Sequence, residues 1–328
     1  MATANVYSAE PALPVLADTL LSPSPTPKPR QPNNTWSLQQ DLENGIHPNS
    51  SIFRSGVIIG FSRIRAKSPE NNEYIGQIPR YLLTTHLRSR PASPDPSAFI
   101  IHPNTFSAFS ARTLLNDLLS PHPSHSANGL SRDEAIQRLD SVHLLPVHDF
   151  AGAAQAVSKV SNELQEMHSQ RLADDQTNRI APDARAALLI VVGLDTLAEG
   201  VIRTSNPVKG AALLAATLRT LTRVSRVHGS SLSVLLVNTH GLGSMYSGAD
   251  GRAASSTHHR ADTQDDQLHS IFRSTGPSLL SNLLTKTLDQ GIDTHLLLSD
   301  VKGAQVVEVI KDRVGSGAGK WSVWIQGR

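Results

Sequence analysis

The sequence predicts an α/β domain: a mostly parallel sheet flanked by helices, closed at the C-terminal end by an antiparallel hairpin. Three observations predict it. Short, near-continuous apolar runs recur along the chain, the pattern of strands buried on both faces. Segments of helical length and periodicity separate them. The last two candidate strands are joined by a short glycine-rich loop with no helix between them.

The elements follow in order. Residues 1 to about 45 read as a disordered tail. Eight of the 20 prolines fall before position 50, concentrated in Ser22-Pro-Ser-Pro-Thr-Pro-Lys-Pro29. Alternating proline removes backbone donors and blocks helices. One apolar patch, from Ala12 to Leu21, interrupts this tail. The ordered core is expected from about 45 to 328. Ser55-Gly-Val-Ile-Ile-Gly60 reads as the first strand. Residues 77–90 read as a helix ending at Arg90-Pro91. Ser97-Ala-Phe-Ile-Ile101 is the second strand, and Ala108 to Leu119 a helix.

Ser131 followed by Glu134 marks a capped helix start. Val142 to Val147 is the third strand, and 151–170 an amphipathic helix. Ala187-Leu-Leu-Ile-Val-Val192 is the most apolar strand, with Asp195 just past its end. Residues 199–210 read as a loop, 209–228 as a helix, and Leu232 to Val237 as the next strand. Residues 241–267, rich in Gly, Ser, His and Asp, show no periodicity and read as a long loop. A helix over 277–289, a strand from Thr294 to Ser299, and a hairpin of Val306–Lys311 with Trp321–Gln326 complete the chain.

Composition narrows the function classes. Hydrophobic residues make up 39% of the 328 residues and aromatics only 4%, so Leu, Val, Ile and Ala must fill the core. The absence of cysteine excludes a disulfide scaffold and Cys-ligated zinc. A formal charge of +2 confines any nucleic-acid surface to local patches. No apolar run approaches the roughly 18 residues that span a bilayer, and no secretory signal is evident, so a soluble intracellular protein is expected.

Several segments, taken together, carry a resemblance. They are Phe99-Ile-Ile-His-Pro-Asn-Thr-Phe-Ser107 with Ala111-Arg-Thr-Leu114, Leu139 to Phe150, and Leu188-Leu-Ile-Val-Val-Gly-Leu-Asp-Thr-Leu197. Leu232 to His240, Gly276 to Leu284, and Val309-Ile-Lys-Asp-Arg-Val-Gly315 with Trp321 to Ile325 continue the series. Their order and spacing resemble the RecA/Rad recombinase family, particularly the eukaryotic recombinase paralogues. The resemblance implies a RecA-like P-loop NTPase fold, a place in homologous recombination DNA repair in the nucleus, and a recombinase or recombinase-paralogue partner subunit. It also implies contact with single-stranded or branched DNA.

The chemistry of that family is incomplete here. Hydrolysis on this fold needs G-x-x-x-x-G-K-[ST] after the first strand, whose backbone N–H groups, lysine and hydroxyl hold the phosphates and magnesium. The corresponding stretch, Gly60 to Gly76, contains Lys67-Ser68 but no glycine directly before the lysine, and Pro69 disfavours the helix start. Where the family's catalytic glutamate follows the second strand, this chain reads His102-Pro-Asn-Thr105. Asn104 cannot act as a base. Gly60, Lys67, Ser68, Asp195 and Asn238 therefore read as a vestigial nucleotide site, with capping of the next turn the expected role of Asp195. No cofactor is required, although residual ATP and magnesium binding stays open. The expectation is a pseudo-ATPase.

Gly315-Ser-Gly-Ala-Gly-Lys320 imitates a phosphate loop, but it has three residues between its outer glycines, no Ser or Thr after the lysine, and a strand on each side. It reads as a hairpin loop. Among the 14 histidines, His122/His125 and His258/His259 are the nearest pairs. Neither has matching carboxylates on a regular element, so no metal site is expected.

Two segments remain for DNA. Residues 199–210 carry Arg203 and Lys209, and 241–273 carry Arg252, Arg260 and Arg273. Spaced cations on glycine-rich backbone suit phosphate contact. Asp250, Asp262, Asp265 and Asp266 bring the second segment near neutrality. Arg219, Arg223 and Arg226 recur on one helix face, as a solvated face or a phosphate or partner patch. The function implied is a recombinase-paralogue-like accessory factor that binds DNA and a partner without ATP hydrolysis. The alternative is a catalytically dead RecA-like structural subunit of another complex, such as the Elongator accessory module.

Overall fold

Apolar side chains fill both faces of one eight-stranded sheet. A computed structural model describes the chain from Trp36 to Trp324, apart from residues 48–49, 51, 65–71, 91–94, 121–129, 175–185, 244–267, 273–277 and 302. The strands are β1 (Ile58–Arg63), β2 (Ala98–Pro103), β3 (Val142–Val147), β4 (Ala187–Val192), β5 (Leu232–Val237), β6 (Thr294–Val301), β7 (Ala304–Asp312) and β8 (Trp321–Val323). Their spatial order is β3-β2-β4-β5-β1-β6-β7-β8. The pairings from β3 through β6 are parallel, whereas β7 and β8 join antiparallel. The helices are α1 (Leu38–Asn44), α2 (Asn72–Ser89), α3 (Ala111–Leu119), α4 (Arg132–Leu139), α5 (Phe150–Asp174), α6 (Leu194–Thr204), α7 (Pro207–Val227) and α8 (Leu283–Gln290).

The continuous burial of β4 and β5 has a direct cause. Every residue of Ala187–Val192 and Leu232–Val237 is buried, because helices cover both sides of a parallel sheet. Alternate side chains then belong to different layers. Leu188, Ile190 and Val192 pack with α1 to α4. Leu189 and Val191 pack with α5 to α8. This is the mostly parallel, helix-flanked α/β architecture expected from the sequence, with its C-terminal antiparallel strands.

Boundaries differ in informative places. The described residues from Trp36 to Asn44, within the stretch read as tail, pack against the core. Ser37 caps α1 through Gln40 N–H, and α1 buries Leu38 and Leu42 against the core. The apolar patch of the tail lies outside the described residues. Strand β1 starts and ends later than expected, so Gly60 lies inside it. Helix α2 begins at Asn72 and accommodates Pro79, and α8 begins only at Leu283. The capping box expected at Ser131 and Glu134 is present in both directions. The Gly315–Lys320 segment joins β7 to β8 as a hairpin loop, tied by Gly317 N–H to Asp312 and by Gly319 N–H to the Val309 carbonyl, both at 2.8 Å.

Candidate functional site

The C-terminal edge of a parallel sheet is where open α/β folds place ligands. Here that edge gathers Arg63 at the end of β1, Asn104 after β2, Asp195 after β4, and Asn238, Thr239 and His240 after β5. Gly193 makes the turn from β4 into α6 with φ +71°, and a Cβ there would lie 3.0 Å from Pro103 Cγ. Glycine fits this left-handed, crowded position without strain. Its N–H bonds the Val237 carbonyl at 2.8 Å and locks the turn to β5.

Asp195 is 4% exposed. Oδ1 accepts from the Thr239 N–H at 3.1 Å, and Oδ2 from the His240 N–H at 2.6 Å. Burial pushes its carboxyl pKa up, opposed by backbone donors at His240, Thr239 and Thr196. Beside the bond to Thr196 in its own following turn, the carboxylate holds the segment leaving β5. Arg63 lies close enough for the Asp195 charge to favour its cation, against a burial that lowers its pKa. Around them, Glu199 binds Arg203 and His240 Nδ1, each at 2.7 Å. Asn104 donates to the His148 ring at 3.2 Å.

Among the described residues, Gly60, Asp195 and Asn238 present no open set of ligands for a nucleotide with magnesium. Both Asp195 oxygens are occupied by backbone donors. Gly60 is no phosphate-loop glycine: it lies mid-strand, where an added Cβ would come within 2.5 Å of Ile292 Cδ1. The cavity lined by Asp195, Asn238, His240 and Leu242 measures about 10 Å³, against the hundreds of Å³ typical of a ligand pocket. Lys67 and Ser68 lie outside the described residues.

Asn238 has another role. Its Nδ2 donates to Ser62 Oγ at 2.8 Å, and Ser62 Oγ meets His295 Nε2 at 2.8 Å. His295 Nδ1 faces Asp289 Oδ1 at 2.9 Å, and Lys311 Nζ reaches Asp289 Oδ2 at 2.6 Å. Because the ionised Asp289 carboxylate only accepts, the proton of the neutral His295 ring sits on Nδ1, and Nε2 accepts from Ser62 Oγ. Burial lowers the pKa of His295, opposed by Asp289. Burial also lowers that of Lys311, again opposed by Asp289. For Asp289 burial acts upward, but the hydrogen bonds and charges of His295 and Lys311 outweigh it and hold the carboxyl low. The Ser–His–Asp order matches a nucleophile relay. Yet Ser62 and His295 are both 0% exposed, so no substrate reaches the hydroxyl. The chain of bonds ties β5, β1, β6, α8 and β7 together.

Of the expected DNA residues, Arg203 and Lys209 are described. Arg203 is not on a loop: it occupies the last turn of α6, paired with Glu199. Lys209 sits in the first turn of α7, where its N–H bonds the Asn206 cap at 2.8 Å. Residues 199–210 are therefore two helices meeting at Ser205-Asn206. Arg252, Arg260 and Arg273 lie outside the described residues, as do His122, His125, His258 and His259. No cluster of three metal-ligating side chains occurs among the described residues, and no described helix is long and apolar enough to cross a membrane. The second segment is anchored where it is described. Gly243 N–H bonds the Leu279 carbonyl and Leu279 N–H the Leu268 carbonyl, both at 3.0 Å. Buried Glu308 accepts from Ser270 Oγ at 2.7 Å and Ile271 N–H at 2.8 Å. Sequence reading missed Glu308; its only signal was a carboxylate inside an apolar strand.

No protein-family model matches the chain, and no curated protein matches it. Among solved structures, a crystal structure of the RadB recombinase is similar to it at a TM-score of 0.45 and 14% identity, over 84% of this chain and 88% of that one.

Proposed function

We propose that this chain is a recombinase-paralogue-like accessory factor. It binds a partner subunit and single-stranded or branched DNA in homologous recombination repair, in the nucleus, and does not hydrolyse ATP. One observation carries the reading: the Asp195 carboxylate is spent on the backbone of Thr239 and His240, beside Arg63, and so positions the exit from β5 instead of offering an open ligand to a metal. An edge organised this way supports binding loops better than phosphoryl transfer.

The DNA contact runs through Lys209 and the 241–273 segment with Arg252, Arg260 and Arg273, with Arg203 adding charge beside its Glu199 partner. Few phosphates are neutralised, so affinity for single-stranded DNA is about micromolar and falls with salt. Fluorescence anisotropy at two salt concentrations tests this, with wild type and an Arg252/Arg260/Arg273 triple alanine variant. Weaker binding by the variant and a shallower salt slope are expected. Equal binding removes these residues from the DNA site and puts the dead structural-subunit reading in its place.

A further inference from the structure

Helix α7 spans 21 residues, contains four cations and no carboxylate, and turns Leu214, Leu218, Leu221 and Val224 into the core. Its outer face is not an ordinary solvated one. Val208, Ala212, Ala216, Arg219, Arg223 and Val227 recur at helical spacing and fall within one stripe roughly 100° wide and about 28 Å long. All six are exposed, with Val208 at 70% and Val227 at 66%. Neighbouring α8 adds exposed Leu283 and Lys286, while its carboxylate, Asp289, turns inward to His295 and Lys311.

The cations divide into two kinds. Arg226 is committed, its guanidinium held by Asp293 at 2.7 Å and by the Gly56 carbonyl at 2.5 Å. Arg219 reaches only the Ala215 carbonyl of its own helix, at 3.2 Å. Arg219, Arg223 and Lys286 have no ion pair among the described residues. The outer surfaces of α7 and α8 thus combine three uncompensated cations with exposed aliphatic side chains, and carry no exposed carboxylate.

We infer that the α7–α8 face docks an acidic amphipathic helix of a partner protein. This deepens the accessory-factor reading, resting on its partner contact and not on its DNA contact. The aliphatic stripe takes the apolar face of the incoming helix, with Ala212 and Ala216 allowing close approach. The flanking cations pair with its Asp and Glu residues. Nucleic acid fits less well: a phosphate backbone gains nothing from Val208, Leu283 or Val227, and neither helix carries an aromatic side chain for base stacking.

The test uses the full chain and three fluorescein-labelled synthetic helices sharing one leucine–alanine stripe, flanked by Glu, Gln or Lys. Wild type is compared with an Arg219→Glu/Arg223→Glu variant, whose solvent-exposed positions leave the core intact, as circular dichroism checks. The Glu helix should bind at least tenfold more tightly than the Gln or Lys helix, and the variant should lose that preference. Affinity for a thymidine oligonucleotide should be unchanged by the variant. Equal binding of the Glu and Gln helices overturns the inference. So does a fall in oligonucleotide affinity in the variant, which makes the face a nucleic-acid site, or a wild-type dimer that the variant dissociates, which makes it a self-association face. The Arg252/Arg260/Arg273 titration reads the DNA contact separately, so either contact can fail alone.

Discussion

Lowering the pH should weaken this fold through a buried histidine far from the sheet's ligand edge. Although part of His86 reaches the surface, its Nε2 is buried without a hydrogen-bond partner. Burial, with the nearby Arg90 charge, pulls its pKa from 6.5 down to about 4, against backbone bonds at Ser97 and Ala186. The folded state keeps the ring neutral, while the unfolded chain takes up a proton below about pH 6.5. Stability is therefore fully present above that pH and is lost as pH falls toward 4. The whole span corresponds to about 3 kcal/mol, and the part lost by pH 5 to about 2 kcal/mol. That is a large share of the stability of a typical domain. The assay is urea unfolding at pH 7.5 and pH 5.0 for wild type and His86→Gln, comparing only the pH-induced change. The variant should lose about 2 kcal/mol less than wild type. His295, whose pKa burial also lowers, leaves a residual acid sensitivity in both. The same pH-induced change in both proteins would refute the reasoning.

Two further outcomes follow from the packing. Gly60→Val should lower stability by about 1–3 kcal/mol, because its side chain enters the space filled by Ile292; an unchanged urea midpoint would return Gly60 to a role outside the core. Ser62→Ala should cost about 1–3 kcal/mol by stripping Asn238 Nδ2 and His295 Nε2 of their shared partner. In wild type, nitrogen NMR should place the His295 proton on Nδ1.

The sheet was legible because buried parallel strands advertise themselves. Leu188 to Val192 and Leu232 to Val237 contain almost nothing polar, and each became a strand at the expected position. Residues 199–210 misled because Gly200, Ser205, Asn206, Pro207 and Gly210 look like loop chemistry. They mark a helix boundary instead. Asn206 caps α7, Pro207 opens it, and Gly210 lies so close to Ile202 that a Cβ would come within 2.4 Å. Gly60 was read as the end of a strand for the same reason, since a glycine needed for close packing looks like one needed for a turn. The relay from Asn238 to Lys311 could not be read at all. Ser62, His295, Asp289 and Lys311 come from separate stretches, and only register across β1, β6 and β7 brings them together. The local hints were Ser62 beside Phe61 in β1 and His295 just ahead of Leu296 to Leu298 in β6.

The central proposal is that this chain binds DNA and a partner without turning over ATP. Phosphate release by the purified full chain, with magnesium and ATP and with or without single-stranded DNA, tests it most directly. The account predicts release at background in both conditions, unchanged by Asp195→Asn. Turnover above background that DNA stimulates and Asp195→Asn abolishes would contradict it.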